Sequence, residues 1–256
     1  MRFGIDVSHW QNNFDFNRAK RENKIEFAII KAGGGDGKTG GLYKDSKFER
    51  NYREAKAAGL LVGAYFFGKA LTVEKAEQEA KYFLELVKGK GFDLPLYYDV
   101  EADMVVKLSK TQLTKIVKVF CDIVEKAGYY VGIYCSESYI KNKLDLTKLN
   151  YTIWCAKYSS KEPSVKYDCW QFGGEVNKLR SNKINGITVD QNYFYNEKII
   201  EYIAKKNNKK SNEEIAQEVL QNKWGTGTDR KNRLTAAGYD YRTIQKIVNE
   251  IIARRY

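Results

Sequence analysis

The chain has 256 residues, and its 44 Lys and Arg against 32 Asp and Glu give a formal net charge of +12. This length allows one large domain, or a large domain with a small one, and the positive charge favours polyanionic partners: nucleic acid, anionic membranes or anionic cell-wall polymers. No apolar run approaches the roughly 20 residues of a membrane span, so we expect no stable membrane insertion.

The N-terminal sequence "MRFGIDVSHW" begins directly with strand-like residues, so we expect no secretory signal peptide. Cys121, Cys135, Cys155 and Cys169 form no CxxC pair, and His9 is the only histidine that could join them. A zinc site is therefore not expected. Buried, reduced thiols are the default for cysteines in strand-like segments.

Strand-like and helical segments alternate in the first part of the chain. The strand-like runs are 2–8, 26–32, 60–67, 94–101 and 129–135. Helical periodicity begins at Thr72 for residues 72–88, and Ser109 can cap a clear apolar stripe over 109–127. This alternation predicts βαβ units with parallel strand pairing.

The pattern changes after residue 150, where strand-like runs at 151–157, 167–172 and 186–192 are separated by short gaps. A parallel crossover needs about a dozen residues or more, so we expect turns and antiparallel pairing among these last strands. Eight strands in this length predict a shortened TIM-like barrel of the type (β/α)5β3, smaller than an ordinary (β/α)8 barrel.

The C-terminal part predicts a separate small unit. "KKNNKKSN" at 205–212 reads as a polar linker, which we place at 205–210, between a barrel over 1–204 and a bundle of three small helices over 211–256. Ser211 with Glu214 fits a capping box, and Asp240 can cap the last helix.

The stretch "LPLYYDVEAD" places two acids at the end of an apolar run. On a strand, Tyr97, Asp99 and Glu101 share one face. Two carboxylates in one space repel each other, so one is expected to keep its proton near neutral pH, as general acid catalysis requires. The alternative is a strand end that passes into a solvated loop.

Barrel enzymes place their chemistry at the C-terminal ends of the strands. Reading those ends gives four acids, Asp6, Asp99, Glu101 and Asp190. The candidate substrate contacts beside them are Lys31, Tyr65, Phe67, Tyr134, Trp154 and Gln171, with Trp10 nearby. Lys31 is either a charge partner of the acids or a solvated strand end, and Trp154 and Trp10 are either sugar platforms or core aromatics. Acids that flank a bond, among aromatic rings on which sugars stack, suit glycoside cleavage.

The ordered segments "GIDVSHWQ", "AIIKA", "VGAYFF", "LYYDVE", "VGIYCS", "IWCAKY", "WQF" and "GITVDQNYF" resemble glycoside hydrolase family 25, the muramidases of bacteria and bacteriophages, over about residues 1–195. The resemblance implies a shortened barrel and hydrolysis of the β-1,4 bond between N-acetylmuramic acid and N-acetylglucosamine in peptidoglycan, usually with retention. It implies Glu101 as general acid/base and Asp99 as its partner, which either orients the acetamido group of the substrate or stabilises charge. It implies Asp6 and Asp190 as further acids, and no metal or other cofactor. The sequence leaves open whether a protein nucleophile or the substrate's own N-acetyl oxygen attacks. Phe66 stands where the family often has histidine, and strand alternation turns it away from Tyr65.

The tail resembles the type 7 cell-wall-binding repeat of phage lysozymes, through "AQEVLQNKWGTGTDR" and "LTAAGYDY". The resemblance implies a three-helix module that binds peptidoglycan fragments, with Trp224, Asp229, Arg230 and Arg233 as candidate contacts. Trp224 also suits the bundle core. A single copy gives no avidity from repeats unless the protein self-associates.

These observations favour a phage endolysin, made in the host cytoplasm and released to the cell wall; an extracellular bacterial autolysin is the alternative origin. A non-catalytic peptidoglycan-binding protein is the alternative function, and the four acids argue against it. A nucleic-acid partner would rest on charge alone and is not expected. The glycine-rich segment 33–41 lacks phosphate-loop spacing and is interpreted as a flexible rim loop. His9 is interpreted as a structural or substrate-contact residue near Asp6.

Overall fold

The structure is a computed structural model that describes residues 1–37, 41–105, 107–173, 183–207 and 210–254. The chain divides into two compact units, Met1–Ile203 and Ala204–Tyr256. No helix in the described residues is long and apolar enough to cross a membrane.

The first unit is built around strands. They are β1 (Arg2–Val7), β2 (Phe27–Gly35), β3 (Leu42–Lys44), β4 (Leu61–Phe67), β5 (Leu96–Asp99), β6 (Val131–Ser136), β7 (Thr152–Ala156), β8 (Cys169–Gly173), β9 (Lys183–Ile184), β10 (Ile187–Thr188) and β11 (Asp190–Phe194). The helices are α1 (Phe16–Asn23), α2 (Phe48–Ala57), α3 (Val73–Val87), α4 (Lys110–Lys126), α5 (Glu137–Asn142) and α6 (Glu197–Asn207), with a short 3-10 helix at His9–Gln11.

The main sheet closes into a barrel. Its strand order is β1-β11-β8-β7-β6-β5-β4-β2, and β1 pairs with β2 to close the ring, while β3 extends the sheet beside β2. Five helices, α1 to α5, follow successive strands before β7, β8 and β11 complete the ring. The predicted (β/α)5β3 barrel is confirmed.

The predicted antiparallel pairing of the last strands is confirmed for β8 with β11 and wrong for β7 with β8. β7 runs parallel to both β6 and β8, whereas β11 is antiparallel to β8 and β1. The segment 157–168 between β7 and β8 supplies about the dozen residues that a parallel crossover needs, and it does so without a helix.

Hydrophobic side chains form two layers. The barrel interior holds Phe27, Leu94, Tyr97, Trp154 and Phe194, and α6 adds Ile199 and Ile203 to this layer. The layer between strands and helices holds Tyr98, Val100 and the stripe of α4. Tyr97 and Tyr98 therefore point to opposite sides of β5, as strand alternation predicts.

Helix α4 fixes the strand that carries the acid pair. Ser109 caps it by accepting a hydrogen bond from the Gln112 amide, and the predicted stripe is buried. The ring of Tyr98 stacks on Phe120 with centroids 3.8 Å apart. Phe66 also packs on Phe120, at 6.0 Å, in the outer layer, so this departure from the family pattern affects packing outside the barrel.

The predicted rim loop at 33–41 is wrong over its first residues. Gly33–Gly35 belong to β2 and pair with β3. A side chain at Gly33 would place its Cβ 2.2 Å from the Tyr43 carbonyl oxygen, so glycine permits the close approach of β3. Residues 38–40 lie outside the described residues.

The second unit contains three helices in its described residues, α7 (Asn212–Leu220), α8 (Gly227–Ala236) and α9 (Tyr241–Ala253). Ser211 and Glu214 form the predicted capping box, and Asp240 caps α9. The core of the bundle is Ile215, Ala216, Val219, Leu234, Ile244 and Val248.

The predicted linker 205–210 is shorter than expected, because α6 continues through residues 205–207. Lys205 and Lys206 lie in its last turn, where basic side chains favour the helix dipole. Residues 208–209 lie outside the described residues.

Candidate active site

The predicted acids meet at one end of the barrel. Asp6 lies near the end of β1 and Asp99 is the last residue of β5. Because β11 runs in the opposite direction, its first residue, Asp190, lies at the same end and pairs in register with Asp6. Glu101 follows two residues after β5, and the Val100 amide still donates to the Tyr134 carbonyl at 2.9 Å.

Asp6 is buried and held by two amides. Gln171 Nε2 and Asn192 Nδ2 each donate to Asp6 Oδ2 at 2.8 Å. Burial raises the pKa of Asp6 to about 6, although these hydrogen bonds oppose the shift. Asn192 was not among the predicted site residues; its signal was the asparagine of "VDQN".

Asp99 is 3% exposed, and its Oδ1 has no hydrogen-bond partner among the described residues. Burial is the main cause that raises the pKa of Asp99 well above its usual value, followed by the negative charge of Glu101, while Lys31 opposes the shift. Burial and the neighbouring charge thus both favour the protonated form of Asp99.

Glu101 is the exposed member of the pair. Its position in a concave site surrounded by protein raises its pKa, with the charge of Asp6 as the next cause. A hydrogen bond with Tyr134 and the charge of Lys31 oppose the shift. An accessible carboxyl group with a raised pKa can deliver a proton to a bound molecule.

Asp190 completes a group of coupled acids. Burial raises its pKa to about 8, and the charges of Asp6 and Glu101 contribute. The negative charges of Asp6 and Glu101 raise the pKa values of their neighbours, so the four acids titrate as an interacting group.

The aromatic residues around the acids are packed and hydrogen-bonded inside the barrel more than they form an exposed surface. Trp154 is 1% exposed, contacts the Tyr134 ring at 4.4 Å, and donates from Nε1 to Asn192 Oδ1 at 2.8 Å. Gln171 is also buried, and its Oε1 accepts hydrogen bonds from Tyr134 and Tyr158 at 2.7 and 2.8 Å. Burial in the barrel interior favours the core alternative for Trp154, and Gln171, predicted as a substrate contact, is buried beside Asp6.

Lys31 supplies positive charge beside the acids. Its Nζ lies 4.6 Å from the centroid of the Phe67 ring and 5.8 Å from that of Tyr65. The charge of Lys31 lowers the pKa of both Asp99 and Glu101, in opposition to burial. The predicted Lys31, Tyr65 and Phe67 therefore lie together at the acidic end of the barrel.

Trp10 and His9 form part of the rim. Trp10 is 75% exposed, and its ring lies 4.7 Å from that of His9. His9 Nδ1 lies 2.8 Å from Oδ2 of the buried Asp45. His9 is thus held by Asp45, which sequence reasoning missed, and it packs against the exposed ring of Trp10.

The residues proposed for wall binding lie around one turn of the second unit. Trp224 packs on Tyr239 at 6.1 Å, half-buried against the bundle core. Arg230 Nε donates to the Gly225 carbonyl at 3.0 Å, and Arg233 pairs with Asp229 at 2.9 Å. Gly225 has a φ of 69°, and a Cβ there would lie 2.2 Å from Asp229 Oδ2.

Within the described residues, no group of three or more His, Cys, Asp or Glu side chains has an arrangement suited to a metal ion. The four cysteines are free and buried.

A further carboxylate, Glu79 on α3, is buried behind the site. Its Oε2 accepts a hydrogen bond from the Tyr98 hydroxyl at 2.6 Å, and its Oε1 accepts one from the Lys69 amide at 2.9 Å. It thereby ties the segment after β4 to the strand that carries Asp99. Burial raises the pKa of Glu79 to about 7 despite these donors.

This shift predicts how stability depends on pH. The folded protein binds the Glu79 proton more tightly than the unfolded chain, so the stabilisation is complete below about pH 4.5 and is lost as the pH rises through about 7. Glutamine mimics the protonated acid. We therefore expect Glu79→Gln to match the unmodified protein near pH 4 and to be more stable at pH 8 by up to about 3 kcal/mol.

Urea denaturation at both pH values measures this difference in the free energy of unfolding. Glu77→Gln is the matched control, because Glu77 lies on the same helix and makes only a 4.0 Å ion pair with Lys81. A Glu79→Gln protein whose stability falls with pH as steeply as that of the unmodified chain would contradict the assignment.

Comparison with known proteins agrees with this geometry. The family model of glycosyl hydrolases family 25 matches residues 5–179, and that of the CW_7 repeat matches residues 213–252. The chain is 30% identical to the autolytic lysozyme of Clostridium acetobutylicum over 186 residues, which are 72% of this chain and 52% of that protein. The chain thus spans about half the length of this relative.

Solved structures share the fold. A lysozyme from Streptomyces coelicolor is 27% identical, with a TM-score of 0.60 over 78% of this chain and 95% of that one. The CTP1L endolysin, at 22% identity, matches 99% of this chain and all of its own with a TM-score of 0.64, a likeness of fold. The family match over most of the barrel, together with the acids gathered at its C-terminal end, shows that the chain belongs to glycosyl hydrolase family 25.

Proposed function

We propose that this chain is a peptidoglycan hydrolase that cleaves the β-1,4 bond between N-acetylmuramic acid and N-acetylglucosamine. The observation that carries the proposal is the exposed Glu101 beside the buried Asp99, in a group of acids at the C-terminal end of the barrel. Similarity to the autolytic lysozyme of Clostridium acetobutylicum and to the lysozyme of Streptococcus phage Cp-7 supports it.

Glu101 acts first as the acid that protonates the leaving glycosidic oxygen and then as the base that activates water. Asp99 is the partner of Glu101 and lies deeper in the site. It would orient the acetamido group of the sugar by accepting a hydrogen bond from its N–H at Oδ1, which has no partner among the described residues. Such a hydrogen bond favours the ionised form of Asp99. Glu101, the exposed acid, supplies the proton.

The hydrogen bond between Asp99 and the acetamido group also favours retention of configuration at the anomeric carbon. An acetamido group oriented by Asp99 can place its oxygen against the anomeric carbon, as in the substrate-assisted exceptions among retaining enzymes. The negative charge of Asp99 would stabilise the positive charge that develops on this group in the transition state.

The products test bond choice and stereochemistry. We expect new reducing ends to be N-acetylmuramic acid, with the β anomer formed first, because the acid pair serves a retaining reaction at that bond. Borohydride labelling of digested walls identifies the reducing sugar, and early NMR spectra identify the anomer. Labelled glucosamine would refute the bond choice, and an initial α anomer would refute retention. If no new reducing ends appeared, the protein would instead be a non-catalytic glycan-binding protein.

We also propose that residues 211–256 act as a module that holds the enzyme on the wall. The match to the CW_7 repeat supports it, and Trp224, Asp229, Arg230 and Arg233 are the proposed contacts for muropeptide. The site of action is then the cell wall, for a phage endolysin as for an autolysin. Association of two copies would add avidity to a single repeat.

A further inference from the structure

A cavity of about 330 Å³ lies between the end of β2, the segment between β4 and α3, and the loop after β5. Its lining includes Gly35, Lys69, Leu71, Lys75, Glu79 and Met104. This volume is at the lower end of the range for small-ligand pockets, so it suits a fragment of a larger substrate.

The cavity adjoins the proposed site of hydrolysis through one aromatic ring. Lys31 lies beside the acids and over the Phe67 ring at 4.6 Å, and Lys69, from the cavity wall, lies 5.3 Å from the same ring. The Gly68 amide donates to the Asp99 carbonyl at 2.9 Å. The Phe67 ring therefore contacts both a lysine of the cavity wall and the lysine beside the acids.

Glycine backbone forms one wall. A Cβ at Gly35 would lie 2.7 Å from Glu79 Oε1, and Gly37, with a φ of 69°, would place one 2.7 Å from Lys69 Cδ. Larger residues at these positions would force the neighbouring side chains into the open space. The glycines at the end of β2 thus keep the cavity open.

The cavity combines positive charge with apolar surface. Lys69 Nζ donates to the Asp36 carbonyl at 3.3 Å and Lys75 Nζ to Gln78 Oε1 at 3.0 Å, and neither lysine forms an ion pair within the described part of the chain. Leu71, 45% exposed, and Met104 supply the apolar surface. Glu79 is an acid in the lining, but both its oxygens are engaged in hydrogen bonds.

We propose that this cavity binds the peptide stem carried by the muramic acid of the substrate. The lysines would bind the carboxylates of the peptide, and the apolar wall would contact the small aliphatic side chains of the peptide. The inference rests on the proposed function and names the part of the substrate that this barrel recognises beside the sugar. Unsubstituted glycan lacks the short acidic peptide that this combination of charge and apolar surface matches.

Steady-state hydrolysis of two soluble substrates tests it: glycan strands with their stem peptides, and the same strands after an amidase has removed the peptides. We expect the unmodified enzyme to have a KM about tenfold lower for the peptide-bearing strands, as one charge-assisted hydrogen bond allows. Lys75→Ala should reduce that ratio of KM values severalfold, and Leu71→Asp, which adds a negative charge to the wall, should abolish it. Lys81→Ala, an exposed lysine on the same helix, is the matched control and should leave the ratio unchanged.

Equal KM values for the two substrates in the unmodified enzyme would overturn the proposal, as would a Lys75→Ala ratio equal to that of Lys81→Ala. A failure of the proposed function looks different, because neither substrate would then yield new reducing ends. Lys75 and Leu71 are exposed surface residues, so circular dichroism should show both variants folded.

Discussion

Glu101→Gln is expected to lower the rate of glycan hydrolysis by about 10²- to 10⁴-fold, the usual contribution of general acid–base catalysis. Glutamine keeps the shape of the side chain and has no proton to transfer. Glu101 is exposed and lies beyond the last residue of β5, so the fold does not depend on its charge. The rate of reducing-end release from purified walls measures the loss.

Asp103→Asn is the matched control, because Asp103 is an exposed acid on the same loop, two residues further along. It should retain the activity of the unmodified enzyme. Adsorption of Glu101→Gln to intact walls should also be unchanged, since the proposed wall-binding residues lie in the other unit. A folded Glu101→Gln protein with near-normal turnover would remove Glu101 from the role of acid.

Burial, more than pKa, separates the roles of the two acids. Asp99 has the more strongly raised pKa, but it is only 3% exposed. Glu101 is accessible and its pKa is raised less. Accessibility therefore favours Glu101 as the acid that meets the glycosidic oxygen, with Asp99 as its buried partner.

Local signals in the sequence predicted the regular elements well. Ser109 and Thr72 cap α4 and α3 where their side chains can accept amide hydrogen bonds, and apolar periodicity identified the buried face of α4. The direction of β8 could not be read in this way, because a crossover of sufficient length without a helix carries no periodic signal. Pairing of Gly33–Gly35 with β3 likewise depends on contacts distant in sequence.

The site was predictable in its carboxylates and less so in its supporting residues. Asp6, Asp99 and Asp190 follow from the rule that barrel chemistry lies at strand ends. Whether an aromatic residue faces a ligand or the core is decided by its neighbours, and Trp154 is enclosed by Tyr65, Tyr97 and Tyr134. Glu79 carried a readable signal, since it is an acid on the same buried helix face as Ala76 and Phe83.

The second large effect that we expect concerns adsorption to the wall. The barrel core includes Ile199 and Ile203 of α6, whereas α7 to α9 bury their apolar faces in a core of their own. Removal of residues 211–256 after Lys210 leaves α6 intact and takes away the whole of that second core. Truncation should therefore leave a folded barrel.

Truncation after Lys210 is expected to weaken adsorption to intact walls by about 10²-fold or more, because a tethered module raises the effective concentration of enzyme at its substrate. The rate of hydrolysis of short soluble glycan strands should stay within about twofold, since tethering does not change the chemical step.

In the full chain, Arg230→Ala should weaken adsorption, whereas Lys231→Ala, its exposed neighbour on α8, should not. Sedimentation of enzyme with purified walls measures adsorption. If the truncated protein lost soluble-substrate turnover as severely as wall lysis, residues 211–256 would be part of the catalytic fold and not a wall-binding module.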